Sequence, residues 1–123
     1  MNLKPRSAES VNALPDFVIT GNHLKYTAGN ITLDTSQLEV GQVVEQGTAV
    51  YRDTETGLYL LVGAETPADM DGAVLTVHAV RIEDTSVNEQ TSGLVAGSVW
   101  EEKLHGVTDN FKEAVKNRID FDL

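Results

Sequence analysis

Between Phe17 and about Leu104 the apolar residues come in short bursts: Phe17-Val18-Ile19, Val43-Val44, Ala49 to Tyr51, Leu58 to Val62, Val74 to Ile82 and Leu94 to Trp100. Gly, Asp, Asn, Thr and Ser divide them, and bursts of this length bounded by turn formers predict strands. In VEQGTAVYRDTETGLYLLV, residues 44–62, two alternating runs flank Asp53-Thr54-Glu55-Thr56-Gly57. Five turn formers, with Gly57 free to take positive φ, predict a hairpin with a longer loop than a tight two-residue turn. The run AVLTVHAVRI, residues 73–82, is apolar on both faces and is expected as one central strand of a barrel or sandwich, with Asp69-Met70-Asp71-Gly72 as the turn before it.

The period changes only near the end. Phe111, Ala114, Val115 and Ile119 fall at i, i+3, i+4 and i+8, which predicts one amphipathic helix over about 108–119. Thr108 or Asp109 can cap its start, and Lys116 and Arg118 sit where the helix dipole favours positive charge. Residues 1–16 are polar, contain Pro5 and Pro15 and show no period; they predict an extended arm, disordered in the free protein, ahead of a single β-rich domain over 17–123.

Charge and composition narrow the function. Nine Lys and Arg against nineteen Asp and Glu give a formal charge of −10, which opposes binding to nucleic acid and points to protein partners. The chain has no cysteine, so a disulfide framework is excluded and stability must come from packing, hydrogen bonds or assembly. Residues 1–14 lack the apolar core of a secretion signal, and no apolar run approaches the roughly 18 residues that span a bilayer. The expectation is a protein made and kept in cytosol, without membrane contact.

Candidate chemistry is sparse. G-x-S-x-G, G-x-x-x-x-G-K-[ST], G-x-G-x-x-G and H-E-x-x-H are all absent. His23, His78 and His105 share no metal-ligand spacing and read as surface or strand residues. Asp69 and Asp71 resemble a fragment of a calcium loop without its remaining ligands. The pairs Asp53/Glu55 and Glu101/Glu102 lie in polar stretches where neither carboxyl would be raised by burial. Neither an enzymatic activity nor a cofactor is expected.

One ordered set of segments does carry a resemblance. L-x-V-G-Q-V-V-x-x-G-T-A-V (Leu38 to Val50), T-G-L-Y (Thr56 to Tyr59), the apolar run Ala73 to Ile82, S-G-L-V-A-G-S-V-W-x-x-K-L (Ser92 to Leu104) and a short helix ending R-I-D-F follow one another across residues 38–121. The order and spacing resemble the head-decoration, or capsid cement, proteins of tailed bacteriophages, the lambda type included. Asn22 to Ser36 reads as an insertion relative to that pattern, and the helix is better formed than in the shortest relatives. The resemblance implies a mainly β fold: a small β-barrel or β-tulip-like body with a short C-terminal helix and an extended N-terminal arm. It implies a structural virion protein on the outer surface of the expanded capsid, made in the bacterial host cytoplasm. Its partners would be the major capsid protein and itself, as homotrimers at three-fold positions. A transient interaction or assembly-chaperone module is the main alternative, and a small β-barrel enzyme using scattered carboxylates and His78 a further one.

On that reading the arm contacts the shell by adding a strand to a neighbour's sheet edge, through Leu3, Pro5, Val11, Leu14, Pro15, Phe17 and Ile19, with Lys4 and Arg6 reaching acidic groups. The apolar strands at 58–62 and 94–100 exceed what one small core needs, so Leu58, Leu60 and Trp100 are the expected trimer contacts, although Trp100, a lone aromatic closing an apolar run, reads first as a core residue.

Overall fold

The computed structural model describes residues 14–122. Among the described residues ten short strands and one α-helix follow in the order β1 (Lys25–Tyr26), β2 (Ile31–Leu33), β3 (Val43–Val44), β4 (Ala49–Arg52), β5 (Tyr59–Leu61), β6 (Asp71–Thr76), β7 (Val80–Arg81), β8 (Glu89–Thr91), β9 (Gly93–Trp100), α1 (Asp109–Val115) and β10 (Ile119–Asp122). The fold is mainly β: one sheet ordered β1-β9-β6-β4-β5-β2-β8 curls into a half-barrel, β10 joins β9, and β3 pairs with β7 apart from it.

Alternation places a core on each face of the central strands. Ala49, Ala73, Leu75 and Leu94 point to one side, where Phe17, Val18, Phe111, Val115 and Ile119 complete the cluster. Val50 and Val74 point to the other, against Ile31, Leu33 and Val44. The residues around Asn22 to Ser36, which read as an insertion, supply β1 and β2, the former an edge strand and the latter a strand just inside the opposite edge.

The expected hairpin forms, with β4 antiparallel to β5 in the register Val50↔Leu61, Tyr51↔Leu60 and Arg52↔Tyr59. Gly57 takes φ 78° and its N–H donates to Asp53 O at 2.8 Å, closing the loop. Asp53 also accepts the Glu55 N–H at 2.9 Å. The same Asp-led turn recurs at Asp34-Thr35-Ser36 and Asp84-Thr85-Ser86, where each Asp Oδ1 accepts the N–H and hydroxyl of the Ser two residues on. The bonds from the Ser86 hydroxyl and then its N–H hold the Asp84 carboxyl below its ordinary 3.8. A depressed carboxyl stabilises its turn above that ordinary value and stops doing so as pH falls through the native one. NMR titration of the Asp84 carboxyl is expected to give a midpoint below 3.8; a midpoint at or above 3.8 would mean the Ser86 bonds are not held in solution.

Two boundaries differ from the sequence expectation. The run 73–82 is two strands. β6 ends at Thr76, buried residues give way to the exposed His78 and Ala79, and β7 pairs with β3 instead. Threonines anchor the departure: Thr76 Oγ1 donates to Glu45 O at 2.8 Å and accepts the Thr48 N–H at 3.1 Å. Thr91 Oγ1 donates to His78 O and accepts the His78 N–H. Hydroxyls thus satisfy backbone groups where the ladder stops.

The helix is also shorter. Thr108 caps it, accepting the Phe111 N–H at 3.1 Å, but the helix ends at Val115, and the Arg118 N–H donates to Val115 O in a closing turn. Ile119 is buried as the first residue of β10, not as a helical position, and R-I-D-F is turn and strand. β10 runs parallel to the second half of β9, from Ile119↔Gly97 to Asp122↔Trp100.

β9 therefore changes partners along its length, with β1 and β6 before Gly97 and β10 after it. Its facing shifts as well: Leu94 and Val99, five residues apart, lie in the same core cluster, so the strict two-residue period is broken between them. Gly97 stands at the bend with φ 149°, and a Cβ there would meet Leu24 Cδ2 at 2.7 Å. Gly97→Ala is expected to cost about 1–3 kcal/mol from backbone strain, read as a lower thermal midpoint. An unchanged midpoint would mean the bend relaxes freely.

Candidate functional site

Of the expected arm contacts, Leu3, Lys4, Pro5, Arg6 and Val11 lie outside the described residues. Leu14 is exposed and Pro15 half-buried, and the turn from Pro15 O to the Val18 N–H, 3.0 Å, already belongs to the body. Asp16 is held there too, its N–H on Gln46 Oε1 and its carboxylate 3.4 Å from Lys103 Nζ. Phe17 and Ile19 belong to the folded body. Phe17 is only 1% exposed and packs in the core, so its ring is not available to a partner. Ile19 is half-buried and its N–H donates to Ser98 O at 3.0 Å. The expected strand at 17–19 reduces to one antiparallel bridge, Val18↔Val99.

Leu58, Leu60 and Trp100 are all half-buried. They are not neighbours in the sheet: β4 and β6 stand between β5 and β9, so the structure does not gather them into one patch on adjacent strands. His23, His78 and His105 are exposed and lie on separate loops. Among the described residues no three or more His, Cys, Asp or Glu converge to hold a metal ion. EDTA is expected to leave the melting temperature unchanged, and a rise or fall of several degrees would reveal a metal contribution. Glu101 is taken up by Lys112, at 2.6 Å, whose Nζ also lies 5.7 Å from the centre of the Phe121 ring.

A groove of about 540 Å³ lies where β5 parts from β2. The two strands share one parallel bridge, Leu33↔Tyr59, with the Asp34 N–H donating to Tyr59 O at 2.9 Å. Beyond it residues 35–37 turn away as a 3₁₀ turn, fixed by the Asp34 cap and by Thr35 Oγ1, which donates to Val87 O at 2.8 Å. The gap between strand and turn becomes the groove. Leu33, Leu38, Leu60 and Leu61 give it an apolar lining, and Asp34, Glu39 and Asp53 give it carboxylates, with no basic side chain among the residues that line it.

The strand edge facing the groove is open. Val62 N–H donates to Ala49 O and Asp53 N–H to Leu58 O, which fixes the alternation of the β4–β5 ladder. By that alternation Tyr59 and Leu61 turn their backbone groups away from β4. Tyr59 O finds Asp34, whereas the Leu61 N–H and C=O find no partner among the described residues. The sequence carried no sign of this site, because it arises from where β2 leaves β5 rather than from any motif.

No family model matches this chain, and no curated protein matches it.

Proposed function

We propose that the chain is a capsid decoration protein that binds the outer surface of an expanded phage shell as a trimer and reinforces it against packaged DNA. The observation that carries the reading is the correspondence between the resembling segments and strands of both sheets. Leu38 to Val50 holds β3 and the start of β4, Thr56 to Tyr59 the turn into β5, Ala73 to Ile82 most of β6 and all of β7, and Ser92 to Leu104 all of β9. A small β body suits a surface clamp, which needs contact area and multiplicity rather than a reaction centre. Three equivalent contacts made together exceed the affinity of one by roughly a hundredfold or more when geometry permits.

Copy number tests this. Purified particles are expected to carry hundreds of copies of the protein in quantitative mass spectrometry; particles that carry none, from cells that make the protein, would favour a transient assembly role. Light scattering at micromolar concentration reports whether the trimer exists before the shell is met.

A further inference from the structure

We propose that the groove beside β5 docks an extended segment of a partner protein in which basic and apolar side chains alternate, and that this segment adds as a short strand to the open edge at Leu61. This goes beyond the decoration reading and does not depend on it, standing on the strand edge and the charge of the groove alone. β5 has β4 along one side and, along the other, only the single bridge from Tyr59 to β2. Past that bridge β2 gives way to the 3₁₀ turn at residues 35–37, and the Leu61 N–H and C=O are left without partners among the described residues.

An antiparallel strand supplies both missing groups from the one residue opposite Leu61, and backbone bonds of this kind hold an added strand while its side chains set specificity. The groove, about 540 Å³, has the size of a ligand pocket and so takes a few residues rather than a long strand. Residues opposite each other in such a pair share a face. Leu61 faces the cluster that holds Leu33, Leu38 and Tyr59, so an apolar residue belongs opposite it. The residues on either side of that one turn to the other face, which carries Leu60, Tyr51 and, by the continued alternation of β4, Asp53.

Charge makes those flanking residues basic. Asp34, Glu39 and Asp53 line the groove with no cation among the lining residues, and none of the three carboxylates forms an ion pair among the described residues. A Lys or Arg on each side of the apolar residue compensates them. Charge also tells against a second copy of this chain, which would bring a further formal −10 towards a groove that is already negative. Among the described residues the one pair of basic side chains spaced by a single residue is Lys116 and Arg118, and Arg118 is already held by the Val95 and Ala73 carbonyls.

Amide hydrogen exchange on the full chain, titrated with the blocked peptide Thr-Lys-Val-Lys-Val-Lys-Thr, tests the proposal. At saturation the Leu61 N–H is expected to exchange at least about tenfold more slowly than in the protein alone. The Val62 N–H, bonded to Ala49 O within the hairpin, is expected to stay unchanged and so reports that the fold is intact. Glu39→Lys, at an exposed position, should weaken peptide binding at least about threefold with Val62 exchange unaltered. No Leu61 protection up to about 10 mM peptide would overturn the proposal. Equal protection by Thr-Glu-Val-Glu-Val-Glu-Thr would overturn the basic partner, and equal protection by the non-alternating Lys-Lys-Lys-Thr-Thr-Val-Val the added strand. Leu61 protection in the protein without peptide would overturn it as well, assigning the edge to a second copy if protection rises with protein concentration and to the chain itself if it does not.

Discussion

Phe17→Ala is expected to lower the unfolding free energy by about 3–5 kcal/mol, the range for emptying a buried phenylalanine site. Phe17 is 1% exposed and packs with Val99, Phe111 and Val115 in the larger core. The surroundings have little room to collapse into the space, since a Cβ built on Gly47 would already lie 3.1 Å from Phe17 Cδ2. The backbone of the same residue is engaged, its carbonyl accepting the Trp100 N–H at 2.8 Å. Three residues earlier, Leu14 is 45% exposed, and Leu14→Ala should stay within about 0.5 kcal/mol. Urea denaturation of the two variants places the start of the folded body between them. Equal, small effects at both positions would return Phe17 to the arm.

Arg118→Ala is expected to cost about 3 kcal/mol, from two hydrogen bonds of a charged donor at about 1.5 kcal/mol or more each. β6 and β9 are paired at Leu75↔Leu94 and Thr76↔Gly93 and then diverge as β9 bends towards β10. The Arg118 guanidinium closes that opening, with Nη1 donating to Val95 O at 2.7 Å and Nη2 to Ala73 O at 3.0 Å. Burial lowers its pKa from the ordinary arginine value, yet an arginine stays protonated at working pH, so the donors are always present. Removing the side chain leaves two strand carbonyls without partners. Lysine carries the charge but not the planar fork, so Arg118→Lys should recover less than half of the loss. A near-zero effect for alanine would mean water replaces the guanidinium between the strands.

The hairpin was legible because its signals are local: two alternating runs and a glycine whose φ the loop requires. The helix cap at Thr108 was legible for the same reason. The far end of the helix was not, since Ile119 falls at i+8 from Phe111 and satisfies the helical period while serving as the first residue of a strand. Arg118 read as a charge suited to a helix terminus; its role depends on two carbonyls from strands distant in sequence. The run at 73–82 misled for a related reason. Apolarity on both faces marks burial, and β6 is buried on both, but nothing in the run says that the chain leaves the sheet at Val77 to pair β7 with β3. Phe17 belonged by composition to a burst at the edge of the arm, and what ties it to the core, the bridge Val18↔Val99 and the bond from the Trp100 N–H to its carbonyl, comes from β9, distant in sequence. The groove was the least legible element, being an opening between strands rather than a pattern of residues.

The decoration reading is tested most directly by sedimentation. On that proposal, purified protein mixed with expanded and with unexpanded empty phage capsids, then pelleted, is expected to travel with the expanded shells and saturate at three copies for each three-fold position. Protein that remains in the supernatant with both forms of shell, at concentrations well above micromolar, would contradict the account.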